Sequence, residues 1–216
     1  MRKTLVRSFR GLKSRLQGLD YRFKSVSDCD FFLHRNDIKA CSGSTSCDLG
    51  CGSNLRNPFN ATRVIGIDNG INLGKEVICS NLAIEPIPLE SGSVSFVTAY
   101  DLIEHIPRVL CIEERRLVYP FIDLMNEIYR VLEPGGFFFS STPAYPSPVA
   151  FQDPTHVNII TEETFPVYFC REYNSWMGSD VPVASIYGFQ GSFELVDQAW
   201  TGNHMCIAAL LRKLEC

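Results

Sequence analysis

The chain has 216 residues, 45% of them hydrophobic and 20% charged, with a net charge of −4. This is the composition of an ordinary globule, long enough for one domain with a buried core. No run of about 18 apolar residues is present, so no membrane-spanning helix is expected. The nine cysteines show no metal-like grouping and read as reduced thiols of a cytoplasmic protein rather than as a disulfide framework.

The first 24 residues hold eight basic residues against one acid, Asp20, which leaves 12 basic and 23 acidic residues to the remainder. Leu5, Phe9, Leu12, Leu16 and Leu19 recur at alternating spacings of four and three. That spacing makes one apolar stripe on a helix ringed by cations. Segment 1–24 is therefore expected to be a basic amphipathic helix, suited to peripheral contact with an anionic membrane surface or, as an Arg-rich and acid-poor stretch, to a transit peptide. The acidic remainder argues against a nucleic-acid track.

Residues 25–44 are mixed in character, and Cys41, Ser42, Gly43 and Ser44 read as a loop into the first strand. The chain then runs Thr45-Ser46-Cys47-Asp48-Leu49-Gly50-Cys51-Gly52-Ser53-Asn54, a strand followed by an acidic residue and two glycines one residue apart. Glycine lacks a Cβ, so such a turn lets backbone approach a ligand closely. Sixteen positions beyond Gly52, Asp68 ends the β-branched run Arg63-Val64-Ile65-Gly66-Ile67-Asp68. This run reads as a second strand, whose terminal carboxylate can accept both hydroxyls of a ribose. A dinucleotide turn would carry a third glycine, where Leu55 and Arg56 stand here. Asp48 would repel a pyrophosphate and attract an ammonium or sulfonium, so the turn suits a cationic, phosphate-free nucleoside.

Asp48-Leu49-Gly50-Cys51-Gly52 resembles the first motif of the class I S-adenosylmethionine-dependent methyltransferases. The resemblance continues in order. Asp68 falls where that family binds the ribose, and Val77-Ile78-Cys79-Ser80-Asn81-Leu82 with Ile87-Pro88-Leu89 looks like the third strand and the loop flanking the adenine. Residues 93–105 look like the fourth strand and its Glu104-His105 segment, and residues 126–143 like a helix, the Leu132-Glu133-Pro134-Gly135-Gly136 turn and the fifth strand. The match spans roughly residues 45–143, with a tail to 212. It implies S-adenosyl-L-methionine as cofactor, held by Asp48, Gly50, Cys51, Gly52, Asp68, Asn81, Leu82 and Asp101, with Asp101 at the methionine end. It also implies that segment 1–24 can pack over the pocket as a lid. Two positions depart from the family: Asn81 stands where a carboxylate often meets the adenine amino group, and Ser95 where the fourth strand usually has an aspartate.

Further along, helices are expected over 102–106 and 117–132, with Pro120 tolerable only in a first turn and Pro134-Gly135-Gly136 as the stop. Residues 143–160, with Pro143, Pro146 and Pro148 and then Asp153-Pro154-Thr155-His156-Val157-Asn158, read as a long functional loop at the carboxyl end of a central strand. Thr161 can cap a helix through Phe165 to about Trp176. Phe193-Glu194-Leu195-Val196-Asp197 and Met205-Cys206-Ile207-Ala208-Ala209-Leu210-Leu211 read as the last two strands. Strands and helices alternate to about residue 142, the pattern of a parallel sheet covered on both faces. The expected architecture is an α/β, Rossmann-like doubly wound sheet of seven mostly parallel strands, the last antiparallel. It forms a single domain over 25–216, preceded by helix 1–24.

Methyl transfer from a sulfonium is an in-line displacement, so the protein must align the acceptor and, for a hydroxyl, remove its proton. His156 is the first candidate for that base, with Asp153 orienting its imidazole. The Asp153-to-Asn158 string resembles a segment of family members acting on sugars of surface glycans. Asp101, Asp153 and His156 could together hold a divalent cation, but no carboxylate pair supports it and no metal is assigned. Glu104 most simply serves a helix N-terminus, His105 reads as structural rather than catalytic, His34 and His204 as structural or exposed, and Tyr100 and Tyr145 as pocket walls or core. The Pro-Pro-Tyr motif of DNA amino-methyltransferases, the Pro-Cys nucleophile of cytosine C5 enzymes and the paired-glutamate loop of protein-arginine enzymes are all missing. What remains as acceptor is a hydroxyl of a small molecule, a saccharide or a lipid-linked compound. Two rival readings are a non-catalytic nucleoside-binding interaction protein and an NAD-linked oxidoreductase.

Overall fold

The structure, a computed structural model, describes residues 23–70, 74, 76–113, 116–171 and 181–214. The amphipathic segment expected over 1–24 therefore lies, but for its last two residues, outside the described residues. Among the described residues no helix is long and apolar enough to cross a membrane.

Seven strands form one sheet: β1 (Thr45–Leu49), β2 (Arg63–Asp68), β3 (Val77–Cys79), β4 (Val94–Tyr100), β7 (Leu132–Pro143), β8 (Phe193–Thr201) and β9 (Cys206–Lys213), in the spatial order β3-β2-β1-β4-β7-β9-β8. The first five pair in parallel, and β9 runs antiparallel between β7 and β8. This is the expected seven-stranded, mostly parallel sheet with its last strand reversed. A separate hairpin joins β5 (Leu110–Ile112) to β6 (Arg116–Val118).

Alternate residues of the central strands enter two cores, as the two-residue period of a strand requires. Val97, Ala99 and Phe138 belong to one, while Phe96, Phe139 and Leu210 belong to the other. The first core is covered by α2 (Pro120–Val131), whose buried Phe121, Leu124, Met125, Ile128 and Val131 fall at helical spacing. The second is covered by α1 (Cys29–Asn36), where Phe32 is wholly buried. Asp28 caps that helix by accepting the Phe31 N–H at 2.8 Å. Arg35 donates to both carboxylate oxygens of Asp197, at 2.7 Å each, which pins α1 to β8.

The expected alternation of strand and helix fails in the first half of the sheet. Between β1 and β4 the described residues contain no α-helix. Loops cover the faces instead. Phe59, after the glycine turn, stacks on Phe96 with ring centroids 4.5 Å apart, and Leu82 and Ile87 fill the opposite face. The loop carrying Ile87 is clamped to α2: Glu127 accepts the Ile87 N–H at 2.8 Å, and Arg130 donates to the carbonyls of Ile87 and Leu89 at 2.8 and 2.7 Å. Glu127 and Arg130 also pair with each other at 2.7 Å.

Three further expectations need correction. The helix placed over 102–106 is a single tight turn, Ile103–His105. The helix placed over 117–132 begins only at Pro120, which takes its first position, and residues 116–118 belong to the hairpin. It ends at Val131 because Leu132 is already extended, at φ −65 and ψ 136; Pro134-Gly135-Gly136 then forms an irregularity inside β7, where Val94 pairs with Leu132 but Phe96 with Phe137. The helix expected from Thr161 to Trp176 is α4 (Thr164–Phe169), cut short because Cys170 is drawn to the sheet by a bridge to Phe193; Trp176 lies outside the described residues. The loop 143–160 carries one helical turn, α3 (Val149–Gln152), and is closed at its base by Tyr145 N–H donating to the Ile160 carbonyl at 2.8 Å.

Gly66 lets the glycine turn pack onto β2. A Cβ there would stand 2.4 Å from Leu55 Cδ2 and 2.6 Å from Cys51 Sγ. Gly66→Ala is expected to destabilise the protein by about 1–3 kcal/mol through overpacking, read from the urea unfolding midpoint. An unchanged midpoint would show that the turn does not rest on this strand.

Candidate functional site

In a parallel sheet, ligands sit beyond the carboxyl ends of the strands, where the strand order reverses. Here that point lies between β1 and β4, and a cavity of ≈ 310 Å³ opens there. Gly50 and Leu102 line it from the ends of β1 and β4, Asp68 and Asn69 from β2, Ser80, Asn81, Leu82 and Ala83 from β3, and His105 and Ile106 complete it. The volume is within the range of small-ligand sites.

The glycine turn is shaped by close approach. Gly50 sits at φ +65, and a Cβ on it would meet Leu102 Cδ1 at 3.0 Å, so neither its backbone angle nor its space suits another residue. Its N–H donates to the Ile67 carbonyl at 2.8 Å. Asp68 accepts from two backbone N–H groups, Gly52 at 2.9 Å and Gly70 at 2.7 Å. A carboxylate has about four acceptor sites, which leaves capacity for a diol. Asn81 accepts the Ala83 N–H at 3.2 Å through its side-chain oxygen, while its own N–H goes to Glu85 at 2.6 Å. Leu82 is buried and lines the cavity with Ala83 and Ile106, an apolar slot beside a polar wall.

Asp48 and Cys51, expected at a ligand, face elsewhere. Asp48 is fully buried, accepting the Arg56 N–H at 2.8 Å and the Thr98 hydroxyl at 2.7 Å. Burial raises its carboxyl above the ordinary value, against the pull of those two bonds. It is a structural tie between the turn and β4 rather than a contact for a cationic ligand. The Cys51 side chain is buried toward Gly66, and burial pushes its thiol up to about 11. Asp101 is exposed at φ 49 directly after β4, its N–H donating to the Ser141 carbonyl at 2.9 Å. A non-glycine residue held there is uncommon and frequent near functional sites. Tyr100 packs on Phe139 and under the Arg56 guanidinium, 4.5 Å from its ring centroid, and Tyr145 lies against Phe151; neither lines the cavity.

The second correction concerns His156 and Asp153. Asp153 does not bond the His156 ring: its Oδ1 accepts from the Thr155 N–H at 2.8 Å and the Thr155 hydroxyl at 2.6 Å. His156 Nδ1 faces the Ala150 carbonyl at 3.3 Å. The Thr155 hydroxyl, having donated its proton to Asp153, presents a lone pair to His105 Nδ1 at 3.0 Å, and the Thr155 carbonyl lies 3.3 Å from the same nitrogen. Asp153 therefore positions His105, not His156. The two imidazoles meet edge to face with centroids 4.8 Å apart. His105, read from the sequence as structural, lines the cavity, while His156, the expected base, does not line it and reaches it only through the His105 ring. A signal was present: His105 stands in the first helical turn after the fourth strand, whose carboxyl end faces the ligand side.

Backbone bonds bring the two histidines together. The Val157 and Asn158 N–H groups both donate to the Glu104 carbonyl at 2.9 Å, the Asn158 side chain donates to the Ile103 carbonyl at 3.1 Å, and Arg108 donates to Asn158 Oδ1 at 2.7 Å and to the Ile159 carbonyl. Glu104 lies in the first turn of the Ile103–His105 helical turn, as expected, but its side chain caps nothing there and is buried to 1% exposure. Its Oε2 accepts the Thr142 hydroxyl at 2.7 Å, Oε1 has no partner among the described residues, and burial raises its carboxyl above the ordinary value.

No family model and no curated protein matches the sequence. Solved structures do match in fold. An S-adenosylmethionine-dependent methyltransferase from Aquifex aeolicus matches with a TM-score of 0.54 at 15% identity, over 93% of this chain and 98% of that one. Geranyl diphosphate C-methyltransferase from Streptomyces coelicolor A3(2), solved with Mg²⁺, geranyl diphosphate and S-adenosyl-L-homocysteine, matches at 0.53 and 14%, over 86% of this chain and 79% of that one. The cyclase SpnF matches at 0.54 and 12%, over 92% and 88%. These likenesses establish the fold; the chemistry rests on the residues of the site.

The buried Asp48 has a measurable consequence. A carboxyl whose folded pKa lies above its unfolded value, near 3.8, costs stability as pH rises past that value. The Thr98 hydroxyl offsets part of this cost by bonding the charged form. Thr98→Val is expected to destabilise by about 1.5–3 kcal/mol near neutral pH and by less below about pH 4, read from urea midpoints at both pH values. An equal loss at both would mean that Asp48 carries no charge in the folded protein.

Proposed function

We propose that the protein transfers the methyl group of S-adenosyl-L-methionine to a hydroxyl of a small-molecule, saccharide or lipid-linked acceptor. The observation that carries this reading is Asp68, fixed by two backbone N–H groups at the edge of a cavity that begins at the glycine turn and ends at His105, against whose ring His156 packs. A ribose diol fits the remaining acceptor capacity of Asp68. Leu82, Ala83 and Ile106 offer a flat apolar slot for the base, and Asn81 a polar edge.

The choice of cofactor follows from what the turn lacks. A dinucleotide places its pyrophosphate on the N-terminus of the helix after the glycine turn. Residues 51–62 form turns and loops without a helix, so no such anion site exists there. Leu55 occupies the position of a third glycine, and its side chain is accommodated by Gly66 instead. A phosphate-free nucleoside suits this site, and an NAD-linked oxidoreductase does not.

The chemistry assigned to the histidines follows from their tautomers. With both Nδ1 atoms facing oxygen acceptors, the protons sit on Nδ1 and the Nε2 lone pairs are free. The acceptor oxygen attacks the methyl carbon opposite sulfur from about 3–3.5 Å. The C–S bond breaks to leave a neutral thioether, and the hydroxyl proton is withdrawn on the histidine side. General-base assistance of this kind contributes about 10²–10⁴-fold. Asp101, at the exit of β4, is assigned to the methionine end of the cofactor.

Calorimetry with S-adenosyl-L-homocysteine and, in parallel, NAD tests the reading. Homocysteine-form binding with no response to NAD is expected, and Asp68→Ala should weaken it by about 1–3 kcal/mol through lost bonds to the diol. Unchanged affinity in that variant would remove Asp68 from the ligand. His156→Ala should keep the affinity and lower turnover; normal turnover would remove the histidine from the chemistry.

A further inference from the structure

We infer that Glu104, His105 and His156 form a divalent-cation site at the mouth of the cavity. A carboxylate oxygen of Glu104 and one ring nitrogen of each histidine lie within 4.8 Å of one another. Bond lengths of about 2.0–2.2 Å to a common ion ask for a modest contraction of that triangle, within reach of side-chain torsions.

Three observations make this more than proximity. First, Glu104 is almost wholly buried and its Oε1 has no partner among the described residues, whereas a buried carboxylate oxygen is costly unless something satisfies it. Second, each imidazole already has the outer partner that metal-binding histidines ordinarily have, an oxygen acceptor on the nitrogen that does not ligate. His156 Nδ1 faces the Ala150 carbonyl at 3.3 Å, and His105 Nδ1 faces the Thr155 hydroxyl at 3.0 Å, itself held by Asp153. Neither Nε2 has a partner among the described residues. Third, the ligand-bearing segments are locked together before any ion arrives, by the two N–H bonds from Val157 and Asn158 to the Glu104 carbonyl.

The result is three groups with ligand atoms within 4.8 Å of one another. A shared proton can satisfy one contact; a divalent cation satisfies all three. Two imidazole nitrogens and one carboxylate oxygen suit a borderline ion of the Zn²⁺ or Co²⁺ class better than Mg²⁺ or Ca²⁺, which prefer oxygen. Three protein ligands leave coordination positions open. Under the methyl-transfer reading, on which this role alone depends, an acceptor hydroxyl takes an open position, is held beside the methyl group, and is acidified by the ion. With the Nε2 lone pairs on the ion, the ion takes over the part that the free imidazoles play without it, and the proton passes to solvent water as the oxygen attacks the methyl carbon. Asp153 and Thr155 are positioning residues for His105.

The test is titration of the full chain, freed of metal by chelation, with Co²⁺ followed by visible absorption and with Zn²⁺ followed by calorimetry, no cofactor being present. One equivalent of Co²⁺ giving a d–d band is expected. His105→Ala, His156→Ala and Glu104→Gln should each weaken binding at least about tenfold, and Thr155→Val less than these. Circular dichroism and a melt of each variant separate lost binding from lost fold, and His156→Gln supplies a milder second substitution. Absence of stoichiometric Co²⁺ and Zn²⁺ binding by the intact protein overturns the site and leaves the shared proton as the answer. Equal binding by a His105→Ala, His156→Ala double variant overturns it as well. S-Adenosyl-L-homocysteine calorimetry on the same preparation distinguishes the two proposals: cofactor without cation removes only the metal site, and cation without cofactor removes only the methyl-transfer reading.

Discussion

Asp68 accepts backbone N–H groups from Gly52, in the turn after β1, and from Gly70, in the turn after β2. One carboxylate thus fixes the exits of two neighbouring strands. Bonds to a charged acceptor are about twice as strong as neutral ones, and here they do what a helix after the glycine turn ordinarily does: hold that turn in one shape. The Gly50 N–H, donating to the Ile67 carbonyl, adds a second tie between the same two strands. The cavity exists because these strand ends are held open and in register. The groove that follows is lined at one end by the group best placed to bind a ribose.

A parallel sheet must have its faces covered, since its strands are apolar on both sides. Between β1 and β4 that covering comes from loops, with Phe59 on one face and Leu82 and Ile87 on the other. Loops hold precise walls only where their polar backbone is satisfied. Glu127 and Arg130 do this from α2 by bonding the backbone of Ile87 and Leu89. The pocket wall therefore depends on a helix that does not touch the ligand side, which links core packing directly to the site.

The far end of the cavity follows the same logic. The exit of β4 and the loop after β7 are joined by two N–H bonds to one carbonyl, that of Glu104. The fold itself is shared by structures with different chemistry, a C-methyltransferase and a cyclase among them. At that junction in this protein stand two imidazoles, their outer oxygens and a buried carboxylate.

Local patterns were enough to read much of this from the amino-acid sequence. β-Branched residues mark β2 and β4, a short strand-like entry to the glycine turn marks β1, the last two strands lie where their apolar runs stand, and Pro120 takes the first turn of its helix. That the described residues between β1 and β4 hold no α-helix was not legible, because a loop that covers a face with a single Phe59 leaves no periodic trace. Asp48 reads as a ligand group from spacing alone, yet its carboxylate turns inward to Thr98, fifty positions away. Asp153 stands beside His156 in sequence but serves His105 through Thr155. The sequence by itself determined the strand order's raw material, the glycine turn and the acidic residue that follows it, since these depend on φ, side-chain branching and short spacings. Only the tertiary structure decided where carboxylates point and that His105 meets His156, because those outcomes depend on the register of β4 against β7 and on a loop closure with no period in the chain.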